Sequence, residues 1–391
     1  MLLLLVLLST YRWSLNSLDM TRTCMVSLEE FRYSVEREFV VDTTIRADLA
    51  AIELLPIFAK QWCKKPEFGF LNSALQKRVR TNPVSMFFVK DMGIAKNGLP
   101  FSRSGTFRGL MRSDKFYTML DLDRVESVLA ASYMAEHKFA IDGQDLPPLV
   151  LGPIECMNYC HWVTEALPKV LLYKSLLGVF PREIWTVGKK IRFQEESLSM
   201  LSSETRLRSI DSEAVRLPWC AISTSLAKSV SEIHPLTFDL LRRFSASERF
   251  ECNGRRIYLS RAKARFRRVV NESELISALQ SYGFEVVVAE DLSFRDQVEL
   301  FSGSELIVAP HGAGLANLSF ARAAKLLVEI FSPGFGASSA FAHICRHKNI
   351  KYAAVVGFAV AGTKEKVAGP GSWAGNRDFY VNPEEVLRYI G

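Results

Sequence analysis

Short, nearly continuous apolar runs punctuate the second half of the chain at residues 256–260 (RIYLS), 284–289 (FEVVVA), 305–309 (ELIVA), 326–330 (LLVEI) and 352–356. Each predicts a strand. The stretches between them carry apolar positions at helical spacing. Asn271 with Glu274 three residues on is a capping-box start; Leu275, Ile276 and Leu279 supply one face, and Gly283 a stop. Ser293 opens a second helix, with Phe294, Val298 and Phe301 in register. A short helix follows residue 314 and another lies near 337–346. Buried strands alternating with helices predict a parallel sheet covered on both faces, in a doubly wound Rossmann-like domain.

The first half is less regular. Residues 48–60 pattern as a helix, 84–89 as an apolar run and 98–115 as a loop; strand-like runs begin near 125. Residues 149–151 read as a strand ending at Gly152-Pro153, 159–177 as a helix and 184–187 as a strand. Pro168 inside that helix should free the carbonyl of Thr164 and bend it. The polar segment 245–255 reads as a linker. The expected units are a variable region 1–97, α/β domains at 98–247 and 248–376, and a terminal strand and helix at 377–391 packing back on the first domain.

Composition narrows the class. A chain of 391 residues that is 48% apolar and 23% charged is globular, and neither fibrous nor disordered. The net charge of +7 fits an anionic ligand, an anionic membrane surface or nucleic acid. Seven scattered cysteines are not a disulfide framework and point to a reducing compartment. The leucine run at the N-terminus ends by Ser9, short of the ~20 residues a bilayer demands. It lacks a preceding basic region and a cleavage site. The expectation is a cytoplasmic protein, peripheral contact with a membrane being compatible; a signal anchor is the alternative.

Three stretches carry candidate chemistry. In residues 309–317 (APHGAGLAN) a strand end meets a glycine-rich turn and a helix start. Gly312 and Gly314 permit close backbone approach and unusual dihedrals, and free N–H groups there attract anions. His311 could bond a phosphate and Asn317 face the same crevice; the bland reading is a tight turn with a buried histidine. In residues 259–272 (LSRAKARFRRVVNE), Ser260 and Arg261 sit at another strand tip, with Arg265, Arg267 and Arg268 following. Arginine forks suit phosphate oxygens. The alternatives are a solvated basic face or nucleic acid, the latter disfavoured because no aromatic platform accompanies the charge. In residues 158–169 (NYCHWVTEALPK), His161 and Glu165 share a helix face, with Asn158 one turn earlier. Such a pair can do acid–base work; it can also be a plain surface ion pair.

Taken in order, these stretches resemble glycosyltransferase family 61. The resemblance rests on Asn158, His161, Glu165 and Pro168; Ser260 and Arg261; Arg268, Asn271 and Glu272; Gly283, Phe284 and Glu285; Ser293, Phe294 and Gln297; and residues 310–317. It covers about 145–331 closely and the remainder loosely, while 1–97 match nothing. Many members have Asp where this chain has Glu165, and the arginine loop here is unusually dense. The resemblance implies a GT-B-like fold, two Rossmann-like domains facing a cleft. It implies inverting transfer from a nucleotide-sugar, expected to be UDP-linked, to a glycan or lipid-linked glycan acceptor in polysaccharide biosynthesis. No cofactor or obligatory metal is expected, and no nucleic acid. Glu165 or His161 would be the base, with Asn158 on the acceptor side. Ser260, Arg261, Arg265, Arg268, Asn271, His311, Gly312, Ala313, Gly314 and Asn317 would hold the donor, and Glu329 a ribose hydroxyl. A catalytically inactive nucleotide-sugar-binding protein is the alternative.

Rival motifs are thinner. Asp121-Leu122-Asp123 is a metal-type DxD of a kind chance supplies. HGAG resembles a hydrolase oxyanion loop, but no G-x-S-x-G accompanies it. Cys156 and Cys160 are one residue too far apart for haem attachment; with His343 and His347 they would make a zinc site only if two distant helices met.

Overall fold

The computed structural model describes strand segments between residues 35 and 106, then 146–246 and 253–391 apart from 153–156, 213, 230–231, 334–339 and 361–375. The helical pattern at 48–60, the apolar N-terminus, Asp121-Leu122-Asp123, the strand-like runs from 125, Cys156 and most of the linker lie outside the described residues. So does part of the 98–115 loop, in which Pro100–Ser102 and Gly105–Thr106 are strands. No helix among the described residues is long and apolar enough to cross a membrane.

The front lobe is built on β1 (Val84–Ala95), β2 (Leu149–Val150), β3 (Glu183–Val187), β4 (Arg206–Ile210) and β5 (Ala214–Ser223). Helix α1 (Leu167–Leu177), helix α2 (Arg192–Leu201) and helix α3 (Pro235–Ala246) belong to the same part of the chain. Its eight-stranded sheet is mixed. β5, β2, β3 and β4 run parallel, whereas β1 pairs antiparallel with β5 over most of its length. This corrects two expectations. The first lobe is not a doubly wound parallel sheet, and the boundary at residue 97 cuts through it, because β1 also pairs with Pro100–Ser102. An antiparallel partner more than a hundred residues away leaves no local signature.

The rear lobe follows the sequence pattern closely. Its strands are β6 (Arg255–Ser260), β7 (Phe284–Val288), β8 (Ser304–Pro310), β9 (Leu326–Phe331) and β10 (Lys351–Val356), in spatial order β7-β6-β8-β9-β10, all parallel. Helix α4 (Glu272–Gln280), helix α5 (Phe294–Gly303) and helix α6 (Ala340–Lys348) connect them. The order reverses between β6 and β8, the switch point beside which open α/β sheets bind ligands. β9 is buried along its whole length. β7, expected as a buried strand, is an edge strand that exposes Glu285 and Val286.

One apolar cluster runs through both lobes, joining Trp162, Val163 and Leu167 in front to Phe294, Leu315 and Phe320 behind. The C-terminal segment, expected on the first domain, docks on the rear lobe instead. Phe379 forms a parallel bridge with Val269, and helix α7 (Pro383–Leu387) packs on α4. Asn271 holds this segment by accepting from Val381 N (3.1 Å) and donating to Val381 O (2.9 Å). Having committed its side chain there and to Glu274, Asn271 does not cap α4.

Candidate active site

Tyr258 of β6 lies opposite Val308 of β8, so Arg261 and His311, each three residues further on, emerge from neighbouring strands at the same end of the sheet. The turn after β8 presses against that arginine: a Cβ added to Gly312 would lie 1.9 Å from Arg261 Nη1. Neither Gly312 nor Gly314 has a positive φ. Their value is the close approach and not the unusual dihedrals expected of them. At Gly314 an added Cβ would come within 3.1 Å of Leu259 Cδ2. The helix that follows, Ala313–Phe320, has 3-10 geometry.

His311 is 11% exposed and lies between Phe331 and Phe341, ring centroids 5.1 Å from each. Its Nδ1 bonds Glu329 Oε1 at 2.5 Å, and Glu329 Oε2 accepts from Tyr352 Oη at 2.7 Å. A carboxylate only accepts, so Nδ1 carries the hydrogen. Burial lowers the His311 pKa despite Glu329, and the charges of Arg267 and Arg261 lower it further. Glu329 is 0% exposed with both oxygens engaged. It therefore orients His311 and does not reach a ribose, which corrects that expectation.

The arginine loop is sorted by its backbone. Arg267 has φ 61°, the left-handed region that few non-glycine residues occupy. Its guanidinium turns into the crevice, where burial and Arg261 depress its pKa to about 10 against the pull of Glu329. Burial likewise lowers the Arg261 pKa; its Nη2 donates to Phe266 O (3.0 Å), while Nε is buried without a hydrogen-bond partner. Arg268 grips Asp378 by its backbone N–H and two guanidinium nitrogens at 2.6–2.9 Å. Arg265 is exposed and lies over the Phe266 ring, 5.0 Å from its centroid. Ser260 is buried and donates to Glu272 Oε1 (2.8 Å), which Tyr258 also bonds. Of the polar side chains expected on the donor, Arg261 and His311 meet at the switch point. Ser260, Arg268, Asn271, Asn317 and Glu329 are spent on holding the fold. Arg267, which the sequence places in the arginine loop but not among the expected donor contacts, joins Arg261 through a left-handed φ that composition does not reveal.

The third stretch approaches from the front lobe. Asn158 caps the turn Tyr159–His161 by accepting from Cys160 N at 2.8 Å. Pro168 cannot donate to Thr164, and the chain answers by widening Trp162–Ala166 into a π-helical turn, with Leu167 N bonded to Trp162 O. The turn packs on Ala313–Phe320. His161 Nδ1 meets Glu165 Oε1 at 2.6 Å, with the histidine 18% exposed and the glutamate 1%. Glu165 is thus shielded from any acceptor, and only the imidazole of this pair reaches solvent. Asn317 is 0% exposed and bonded to Tyr159 and Gln297, which corrects its expected place in the crevice. His343 and His347 pack on Phe238, and no group of three or more metal-ligating side chains forms among the described residues.

Basic side chains thus gather at the switch point of a parallel sheet, and the helical turn that carries the His161–Glu165 pair packs on the segment that follows β8. Residues 159–328 match the family model described as Glycosyltransferase 61, which makes this segment a glycosyltransferase family 61 domain. The matched stretch runs from the turn bearing His161 to β9, and so holds both halves of the site. A domain of this family implies a sugar donor and a glycan acceptor. No curated protein matches the chain.

Proposed function

We propose that the chain is an inverting, GT-B-type glycosyltransferase that passes a sugar from a UDP-linked donor to a glycan hydroxyl, with His161 as the base. The observation that carries this reading is the meeting of Arg261, Arg267 and the Gly312 turn at the sheet's switch point. Two desolvated guanidinium groups side by side favour a polyanion between them, and a nucleoside diphosphate is the anion a sugar donor brings.

In this reading Nδ1–H of His161 donates to Glu165, which leaves the ring's lone pair on Nε2. That nitrogen removes the acceptor proton as the acceptor oxygen bonds the anomeric carbon. The bond from that carbon to the diphosphate breaks on the opposite face, and the diphosphate leaves as an anion held by Arg261 and Arg267. Glu165 stabilises the imidazolium. The net charge of +7 supports a cytoplasmic membrane surface as the meeting place with a lipid-linked acceptor.

Calorimetric titration with UDP, GDP and CMP tests the donor side. UDP should bind the parent and lose most of its affinity in Arg261→Ala. If no nucleotide binds, or Arg261→Ala binds as the parent does, the reading is wrong. Binding without turnover across a panel of UDP-sugars would instead identify an inactive nucleotide-sugar-binding protein.

A further inference from the structure

Tyr159 stands two residues before His161 on the same helical turn. Its hydroxyl crosses the seam between the lobes and donates to Asn317 Oδ1 at 2.7 Å. Asn317 Nδ2 in turn donates to Gln297 Oε1 (2.8 Å) and to Gly314 O (3.0 Å). Gln297 Nε2 reaches Ala289 O, just past β7, at 3.1 Å. An unbroken polar chain therefore links the helix of His161 to the donor-side turn and to the tip of a rear-lobe strand.

The link is enclosed. The Tyr159 ring lies edge-on to Phe193 of the front lobe at 5.2 Å and 6.2 Å from Phe294 of the rear lobe. Burial raises its pKa far above the ordinary value, so the hydroxyl stays protonated and donates. Holding the lobes together does not require it: the shared apolar core does that, and Phe294 N donates to Glu196 Oε2 at 2.7 Å close by. An apolar pair of similar size would pack here without having to satisfy buried polar groups. What the polar chain adds is one specified arrangement of the His161 turn against the Gly312–Gly314 turn.

We infer that Tyr159 is a positioning residue for the His161 base, registering the base helix against the donor turn so that proton removal and diphosphate grip share one frame. The inference takes the roles of those two turns from the proposed function. The contact that it concerns can be tested without any nucleotide.

The test uses the full chain carrying Tyr159→Phe, with Asn317→Leu as a second way to cut the same bond should the first not fold. Diethyl pyrocarbonate labelling, read peptide by peptide, follows each histidine. His161 should label severalfold faster in the variant, while the buried His234 and His343 and the half-buried His347 keep their parental rates. With the sugar donor found by the UDP-sugar screen, kcat should fall about tenfold at unchanged donor KM, as a displaced base demands. An unchanged His161 rate overturns the inference. So does a parallel rise at all four histidines, which would mean general loosening. Failure of the proposed function registers elsewhere, as a parent that neither binds UDP nor turns over UDP-sugars.

Discussion

His161–Glu165 and His311–Glu329 are the same chemical pair in two settings. The first lies along one helical segment, four residues apart, with its imidazole 18% exposed and its carboxylate buried. The second spans neighbouring strands, is sealed between phenylalanines, and has its carboxylate tied down by Tyr352. A histidine with solvent on one side and a carboxylate on the other can exchange a proton. In the second pair, burial and the neighbouring Arg267 and Arg261 lower the His311 pKa, while Glu329 pulls the other way. On the function proposed above, setting and not residue type divides the labour.

The largest test of that division is His161→Ala. Turnover should fall by about 10²–10⁴ while UDP affinity stays at the parental value, measured by steady-state kinetics and calorimetry. A matching loss of nucleotide affinity would merge the two pairs into one function. Glu329→Ala should act on the other side of the comparison. It leaves His311 and Tyr352 without their shared acceptor, at about 1–3 kcal/mol for each buried group in urea denaturation.

Acid should act through a further pair of histidines, His343 and His347. Burial holds His343 at about 4 and His347 at about 3, with Arg346 and, for His347, His343 and His234 as additional positive or ionisable neighbours. Unfolded, both rings titrate near 6.5. Below that pH the unfolded chain binds the more protons, so stability falls by up to about 1.4 kcal/mol per pH unit for each ring between pH 6.5 and 4. Above 6.5 these rings contribute no slope. Denaturation midpoints that stay flat from pH 7 to 4.5 would contradict this. The smallest effect belongs to Gly312→Ala. The added methyl must displace the Arg261 guanidinium, so UDP affinity should drop about tenfold. Stability should stay within about 0.5 kcal/mol of the parent, since the clash falls on a flexible side-chain end.

The rear lobe was legible because parallel strands are buried on both faces and separated by helices with their own start signals; Ser293 caps α5 as its spacing predicts. Pro168 likewise announced a fault in its helix, though not that a π-turn would absorb it. What escaped was non-local. The pairing of β1 with β5 depends on a partner far along the chain, and the capping-box spacing at Asn271 gives no sign of its partner at Val381, 110 residues on. At the site, charge pointed to the arginine loop, but the choice between Arg267 and Arg268 turns on one left-handed φ and on Asp378. Which of His161 and Glu165 faces outward was decided by depth, a property that helical spacing leaves open.

The docking of the C-terminus bears on how the protein could be disarmed. Asp378, Phe379 and Val381 brace residues 268–271, and the charge of Asp378 also reaches Arg261. A nonsense mutation or a carboxypeptidase that shortened the chain to before Asp378 would leave both histidine pairs and the switch point in the sequence. The truncated product would nonetheless lose the hydrogen bonds that brace residues 268–271, and on the function proposed above it should hold UDP less tightly than the full chain.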